Sequence, residues 1–261
     1  MLSRIGNRVL NRLARWKYSP DIAVDRAPNL ARLGSSYGGW TFEPSSDLQR
    51  STILSCGLGE DASFDVDFAS AFQATVIIVD PTPRAITHFT EMQARIGQPA
   101  FEKYVKGGKQ PTTAYDLRTV AANALILEPS ALWIENTRIK FYAPLNPDHV
   151  SHSIVNLQGS SIQSAGYVEV PAVSLETLIE KYDLATIPLM KLDIEGAEVK
   201  VIQSALEKRI FPRQLLVEFD EMHFPSDRSK KNAEDTDRVL RQAGYNCRYF
   251  DGVSNFLYTL R

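Results

Sequence analysis

The chain is poor in cysteine, has no long apolar run and has no excess of either charge, and each shortage removes a class of protein. Its two cysteines, Cys56 and Cys247, lie far apart with no CxxC pair. That excludes a disulfide framework and a structural zinc knot, and it suits a reducing compartment. No apolar stretch approaches the roughly 18 residues needed to cross a bilayer. With 29 Lys and Arg against 31 Asp and Glu, the net charge of −2 argues against nucleic acid as the main partner. The expected location is the cytoplasm.

What is present begins with an asymmetric N-terminus. Arg4, Arg8, Arg12, Arg15 and Lys17 face no acidic residue before position 18, and Leu2, Ile5, Val9, Leu13 and Trp16 recur at helical spacing. Arginines interrupt any signal-peptide core. An amphipathic basic helix of this kind suits a peripheral contact with an anionic membrane, or docking on its own domain or on a second subunit. Residues 18–50 are rich in Pro, Gly and Ser and read as a connecting segment with little regular structure. The expected division is therefore 1–49 for helix and connector, and 50–261 for one catalytic-sized domain.

From residue 51 onward, short apolar strands alternate with helical patterns. STILSC, ATVIIVD, ANALILE, IPLMKLDIEG and QLLVEFDE read as strands. PRAITHFTEMQARIG, SLETLIEKY, AEVKVIQSALEKR and AEDTDRVLRQAG read as helices, with Ser174 and Thr177 available as caps. Residues 129–172 change character: WIENTRIKFYAP alternates like an antiparallel pair, so this is a β-rich insertion. YNCRYFDG and SNFLYTL close the chain as a hairpin. The pattern is that of a doubly wound, mostly parallel α/β sheet with an antiparallel edge strand.

The most informative segment is KLDIEGAE, from Lys191 to Glu198. An apolar strand here carries Lys191, Asp193 and Glu195 at every second residue, hence on one side. Burying such charges is costly unless they are paired or used. A strand end that carries carboxylates and turns through Gly196 into a helix is where an open α/β sheet places its ligand. Glu218, at the end of QLLVEFDE, is the natural partner if that strand is adjacent. His223 lies just beyond it, and His149 and His152 lie in the insertion, where acceptor-binding loops tend to sit.

A second motif, Cys56-Gly57-Leu58-Gly59-Glu60-Asp61, follows the first core strand. The glycines permit a tight turn and close approach of a ligand to the backbone. Asp80 ends the next strand, 21 residues beyond Gly59, and suits a ribose diol. A third glycine is missing, and Glu60 and Asp61 would repel a pyrophosphate. The loop therefore prefers a neutral or cationic nucleoside; S-adenosylmethionine meets that description and NAD is the runner-up.

Taken together, these segments resemble the FkbM family of S-adenosylmethionine-dependent methyltransferases. The resemblance rests on CGLGEDASFD with IIVDPTP, on FYAPLNPDHVSHSI, on SLETL leading into LMKLDIEGAE, and on LLVEFDE, over about residues 50–220. It implies the Rossmann-like class I methyltransferase fold and O-methylation, with sugars and glycan hydroxyls a frequent acceptor class. Many members open the glycine loop with an acidic residue and an Ala-Asn pair, where this chain has Ser55, Cys56 and Leu58-Gly59. The carboxylate facing the cofactor amine is then expected from Glu60 or Asp61.

The expected base for an alcohol acceptor is Asp193, followed by Glu195 and His152. Cys56, Gly57, Gly59, Glu60, Asp61 and Asp80 are expected at the cofactor, and His149, Lys191, Glu218 and His223 at the acceptor. No ligand spacing calls for a metal. Two rivals remain: a nicotinamide-dependent dehydrogenase on the same sheet, and a non-catalytic glycan- or partner-binding module on a degenerate methyltransferase fold.

Overall fold

In a computed structural model of the chain, which describes residues 17–142 and 167–261, the β-branched runs form strands because helices cover both of their faces. The strands of the main sheet are β3 (Thr52–Cys56), β4 (Thr75–Val79), β5 (Leu125–Glu128), β9 (Leu189–Leu192), β10 (Gln214–Glu218), β11 (Tyr245–Phe250) and β12 (Asn255–Leu260). Their order across the sheet is β11-β12-β10-β9-β3-β4-β5. Strands β5, β4, β3, β9 and β10 run parallel, and the closing hairpin sets antiparallel β12 between β10 and the edge strand β11, which therefore points the same way as β10. The N-terminal helix expected over residues 1–17 lies almost wholly outside the described residues.

Alternation sorts the core into two layers. Leu54, Cys56, Ile77 and Val79 enter one apolar cluster, and Ile53, Val76 and Ile78 enter the other. The first layer is closed by α3 (Leu175–Lys181), α4 (Glu198–Glu207) and α5 (Asp227–Gln242), which contribute Leu178, Val201, Ile202 and Leu240. The second is closed by α1 (Ser63–Phe72) and α2 (Pro83–Gln93) through Phe64, Phe68, Phe89 and Met92. Local chemistry sets the helix starts. Thr82 caps α2 ahead of Pro83, Ser174 caps α3 by accepting from the Thr177 amide, and Ser226 with Ser229 forms a capping box on α5.

Two expectations are corrected. Residues 18–50 are not a loose connector. They contain the hairpin of β1 (Ala31–Leu33) and β2 (Trp40–Phe42), and Trp40, Phe42 and Leu48 are buried in the second layer. The insertion contains a small sheet of β6 (Ala131–Trp133), β7 (Thr137–Tyr142) and β8 (Tyr167–Ser174) in the order β6-β8-β7. The antiparallel pair is β7 with β8, while β6 runs parallel to β8 and is not paired with β7. Alternation within WIENTRIKFYAP gives strand character but not partner choice, which β8 decides from 30 residues further on.

Candidate active site

The carboxyl ends of β3, β4, β9 and β10 meet at one edge of the sheet, and the turns leaving β3 and β9 are laced together. The Asp193 amide donates to the Cys56 carbonyl (3.0 Å) and the Gly57 amide to that of Val79 (3.0 Å). Gly57 has φ of +90°, and a Cβ built on it would stand 1.8 Å from the Asp193 carbonyl oxygen. Only glycine fits there. Gly59, at φ +57°, has no atom within 4 Å of the same construction, so its backbone opens toward the mouth.

Asp80 holds this turn. Its Oδ2 accepts from the Leu58 and Gly59 amides, each at 2.9 Å, and its Oδ1 from the Thr82 amide (2.8 Å) and hydroxyl (2.7 Å). Four protein donors fill the four acceptor positions of the carboxylate, and the residue is buried. Asp80 thereby shapes the backbone a nucleoside would meet. Glu60 pairs with Lys109 at 2.7 Å, and Asp61 accepts from the Ser35 hydroxyl (2.7 Å) and the Ser63 amide (3.0 Å). Both carboxylates are thus engaged by protein donors. Cys56 contributes only its carbonyl; its side chain lies in the core, where burial pushes the thiol up to about 12.

Lys191 and Asp193 lie on one side, as strand alternation requires. The buried Lys191 ammonium donates to the Gly57 carbonyl, lies 3.9 Å from Asp193 Oδ2, and stands 5.5 Å from the centre of the Trp40 ring. Lys191 therefore supports the glycine turn from beneath and is not at the acceptor surface. The Asp193 side chain is 35% exposed. Burial raises its carboxyl to about 7, the Glu218 carboxylate adds to the rise, and Lys191 opposes it. Strand β9 ends at Leu192, so alternation does not reach Glu195, which adopts a left-handed φ of +56° ahead of Gly196 at +97°.

Glu218 and His223 come together: His223 Nε2 lies 2.6 Å from Glu218 Oε1, which also accepts from the Ser254 hydroxyl at 3.0 Å. Ser254 is buried in the turn between β11 and β12, an element with no local signal linking it to β10. Asp220 stands behind them, its carboxyl raised by burial. Sequence reasoning also missed Glu198. Its carboxylate accepts from the amides of Ile194 (2.8 Å) and Gly196 (3.1 Å) and so fixes the turn that presents Asp193. An acid in the first turn of a helix was the available signal. His149 and His152 lie outside the described residues. Among the described residues, no group of three or more His, Cys, Asp or Glu side chains is arranged to hold a metal ion, and no helix is long and apolar enough to cross a membrane.

A glycine turn packed against Asp193, whose carboxyl is acted on by Glu218 and Asp220, suits a nucleoside that carries positive charge and no phosphate. The strand order, with an antiparallel strand set between the last two parallel positions, and the ligand edge at the glycine turn define a Rossmann-like methyltransferase. The Methyltransferase FkbM domain matches residues 17–247, and the chain belongs to that family. Membership implies S-adenosylmethionine as the methyl donor, and the open Gly59 backbone and acidic mouth fit it. No curated protein matches the chain significantly.

Solved structures similar to it include fibrillarin in a fibrillarin/Nop5p complex, at 6% identity, TM-score 0.41, over 84% of this chain and 75% of that one. The Methanococcus jannaschii fibrillarin pre-rRNA processing protein is 8% identical, TM-score 0.40, over 83% and 70% respectively. An rRNA methylase from Streptococcus thermophilus is 10% identical, TM-score 0.38, over 82% and 89%.

Proposed function

We propose that this protein transfers the methyl group of S-adenosylmethionine to a hydroxyl, on a sugar or glycan, with Asp193 accepting the hydroxyl proton. The observation that carries the reading is Asp193 itself: a part-exposed carboxylate at a strand mouth, its backbone packed against the Gly57 turn and its carboxyl raised above the ordinary range by burial. The donor, when bound, supplies a methyl group activated by a positively charged sulfur. The protein's work is then alignment and proton removal.

Gly59 and the turn fastened by Asp80 would carry the adenosine half. Asp193, Glu195 and Glu218 would offset the positive charge. A base near the working pH is deprotonated often enough to act, yet basic enough to take the proton of an alcohol. Lys191 opposes the rise, holding the Asp193 carboxyl lower than burial and Glu218 alone would set it. Glu218 and His223 stand ready to exchange hydrogen bonds with a second acceptor hydroxyl, and His149 and His152 are assigned to the acceptor side because the insertion that carries them is where acceptor-binding loops tend to sit.

The test is incubation of the protein with methyl-labelled S-adenosylmethionine and a panel of mono- and oligosaccharides, beside Asp193→Asn. Label that enters a sugar as a base-stable ether, and fails to enter with the variant, supports the reading. Label recovered on nitrogen ends the hydroxyl assignment.

A further inference from the structure

We infer that the strap from Gly34 to Trp40 completes the cofactor site, and that the ring of Tyr37 recognises the positive charge of a sulfonium. The inference rests on the methyltransferase reading above. In the sequence this stretch, GSSYGGW, reads as a linker. In the structure it is bound to the residues that follow the open Gly59 turn. The Ser35 amide donates to Ser63 Oγ (2.7 Å), the Ser35 hydroxyl and the Gly38 amide donate to Asp61 Oδ2 (2.7 and 3.2 Å), and the Gly34 amide donates to Asp67 Oδ2 (3.0 Å). Arg32 spans the neck of the strap, donating to the carbonyls of Ser35 (2.7 Å) and Gly39 (2.9 Å).

Such anchoring fixes a backbone, yet the residue at its tip is left in solvent. Tyr37 donates its amide to Ser35 Oγ (3.0 Å) and remains 65% exposed. Its ring rests on Gly108, where a Cβ would come within 2.7 Å of the ring carbon Cε1. Gly108 follows Gly107 in the loop that also supplies Lys109 to Glu60, so the ring bridges two loops bordering the glycine turn. The carboxylates of Asp193, Glu218, Glu195 and Asp61 all act on the Tyr37 hydroxyl and, after burial, help hold its pKa above the ordinary tyrosine value. The bonds of the strap to Asp61 and Ser63, with the seat of the ring on Gly108, place Tyr37 beside the loops that border the glycine turn.

An exposed aromatic ring held in place among carboxylates is a receptor for a cation. The ring face is electron-rich, and the carboxylates add to the attraction. A neutral ligand gains little from either. S-adenosylmethionine is charged at sulfur and its product S-adenosylhomocysteine is not, so Tyr37 would favour donor over product and assist their exchange.

Calorimetric titration of the full chain with each ligand separately, on wild type, Tyr37→Phe and Tyr37→Leu, tests this without any acceptor. The wild type is expected to prefer S-adenosylmethionine. Tyr37→Leu should reduce that preference by about threefold to thirtyfold, and Tyr37→Phe should keep it. Equal weakening of both ligands, or an unchanged ratio, overturns the inference and leaves the methyltransferase reading standing. Binding of neither ligand to the wild type overturns that reading and this inference with it. If Tyr37→Leu does not fold, Tyr37→Trp decides: a raised preference supports recognition of charge, and an unraised one overturns it.

Discussion

The carboxylate of Asp80 and the amide of Gly59, at the ends of neighbouring strands, are joined by a 2.9 Å hydrogen bond. That bond makes the shape of the glycine turn depend on a residue 21 positions away. Asp80→Ala leaves the Leu58, Gly59 and Thr82 donors without their acceptor, at a cost of about 1–3 kcal/mol for each that stays dry. A melting temperature about 5–10 °C lower is expected, with S-adenosylhomocysteine affinity falling more than about tenfold. Asp80→Asn retains one acceptor oxygen and should fall between. An unaltered melting temperature in the alanine variant would contradict the fastening role.

The pH dependence of stability and of activity should run in opposite directions. Burial is the first cause holding Asp65, Asp193 and Glu198 above the usual carboxylate range, at about 6, 7 and 8. A carboxyl raised in the folded state keeps its proton where the unfolded chain has lost it. The contribution of these groups to stability is therefore full below the ordinary carboxylate range and is lost as pH rises from about 4 to about 8. Methyl transfer needs Asp193 ionised and should rise through about pH 7. Thermal melts and initial rates across this range check both signs, and Asp193→Asn should flatten part of the stability slope while lowering the rate about 100-fold or more.

The sequence carried the element types well and the partners poorly, and the reason is physical. Val76 to Val79 announce a strand because β-branched side chains on both faces need only a covering layer, whatever that layer is. The helix after Gly196 announces itself by spacing alone. Partner choice has no such local mark. Ser35 reaches Asp61 across 26 residues and Gly34 reaches Asp67 across 33, so a strap that closes on the site reads as a run of turn formers. Of the site, Asp193 and Glu218 were legible as carboxylates a strand has no other reason to carry. The inward turn of Lys191, the saturation of Asp80 and the clamp made by Glu198 were not, since each depends on donors and acceptors brought in by other elements.

Lys191 supports both the turn and the base. Its ammonium is buried between the Gly57 carbonyl and Asp193 and also opposes the raised pKa of Asp65. Lys191→Met removes the donor to the buried Gly57 carbonyl and the cation beside Asp193, and a carbonyl left dry costs about 1–3 kcal/mol. The same change removes the group that pulls the Asp193 carboxyl down, so the rising limb of the pH–rate profile should move to higher pH. A loss of stability with the limb unmoved would show that Lys191 is structural only.

Gly57 and Gly59 make the sharpest comparison, because both take a positive φ and only one has room. At Gly57 a methyl group would lie 1.8 Å from the Asp193 carbonyl oxygen, so Gly57→Ala must drive the β3 and β9 turns apart. Loss beyond about 4 kcal/mol, with little soluble protein, is expected. At Gly59 the methyl meets nothing, and Gly59→Ala carries only the left-handed strain of about 1–2 kcal/mol. The open space it enters is the surface assigned to the nucleoside, so affinity for S-adenosylhomocysteine should fall further than this strain accounts for. Gly59→Asn, which tolerates the left-handed conformation better, separates the two effects: relief of strain restores the melting temperature but not the binding. If both variants bind as the wild type does, the Gly59 backbone is not the cofactor surface, and the nucleoside must lie elsewhere along the strand mouths.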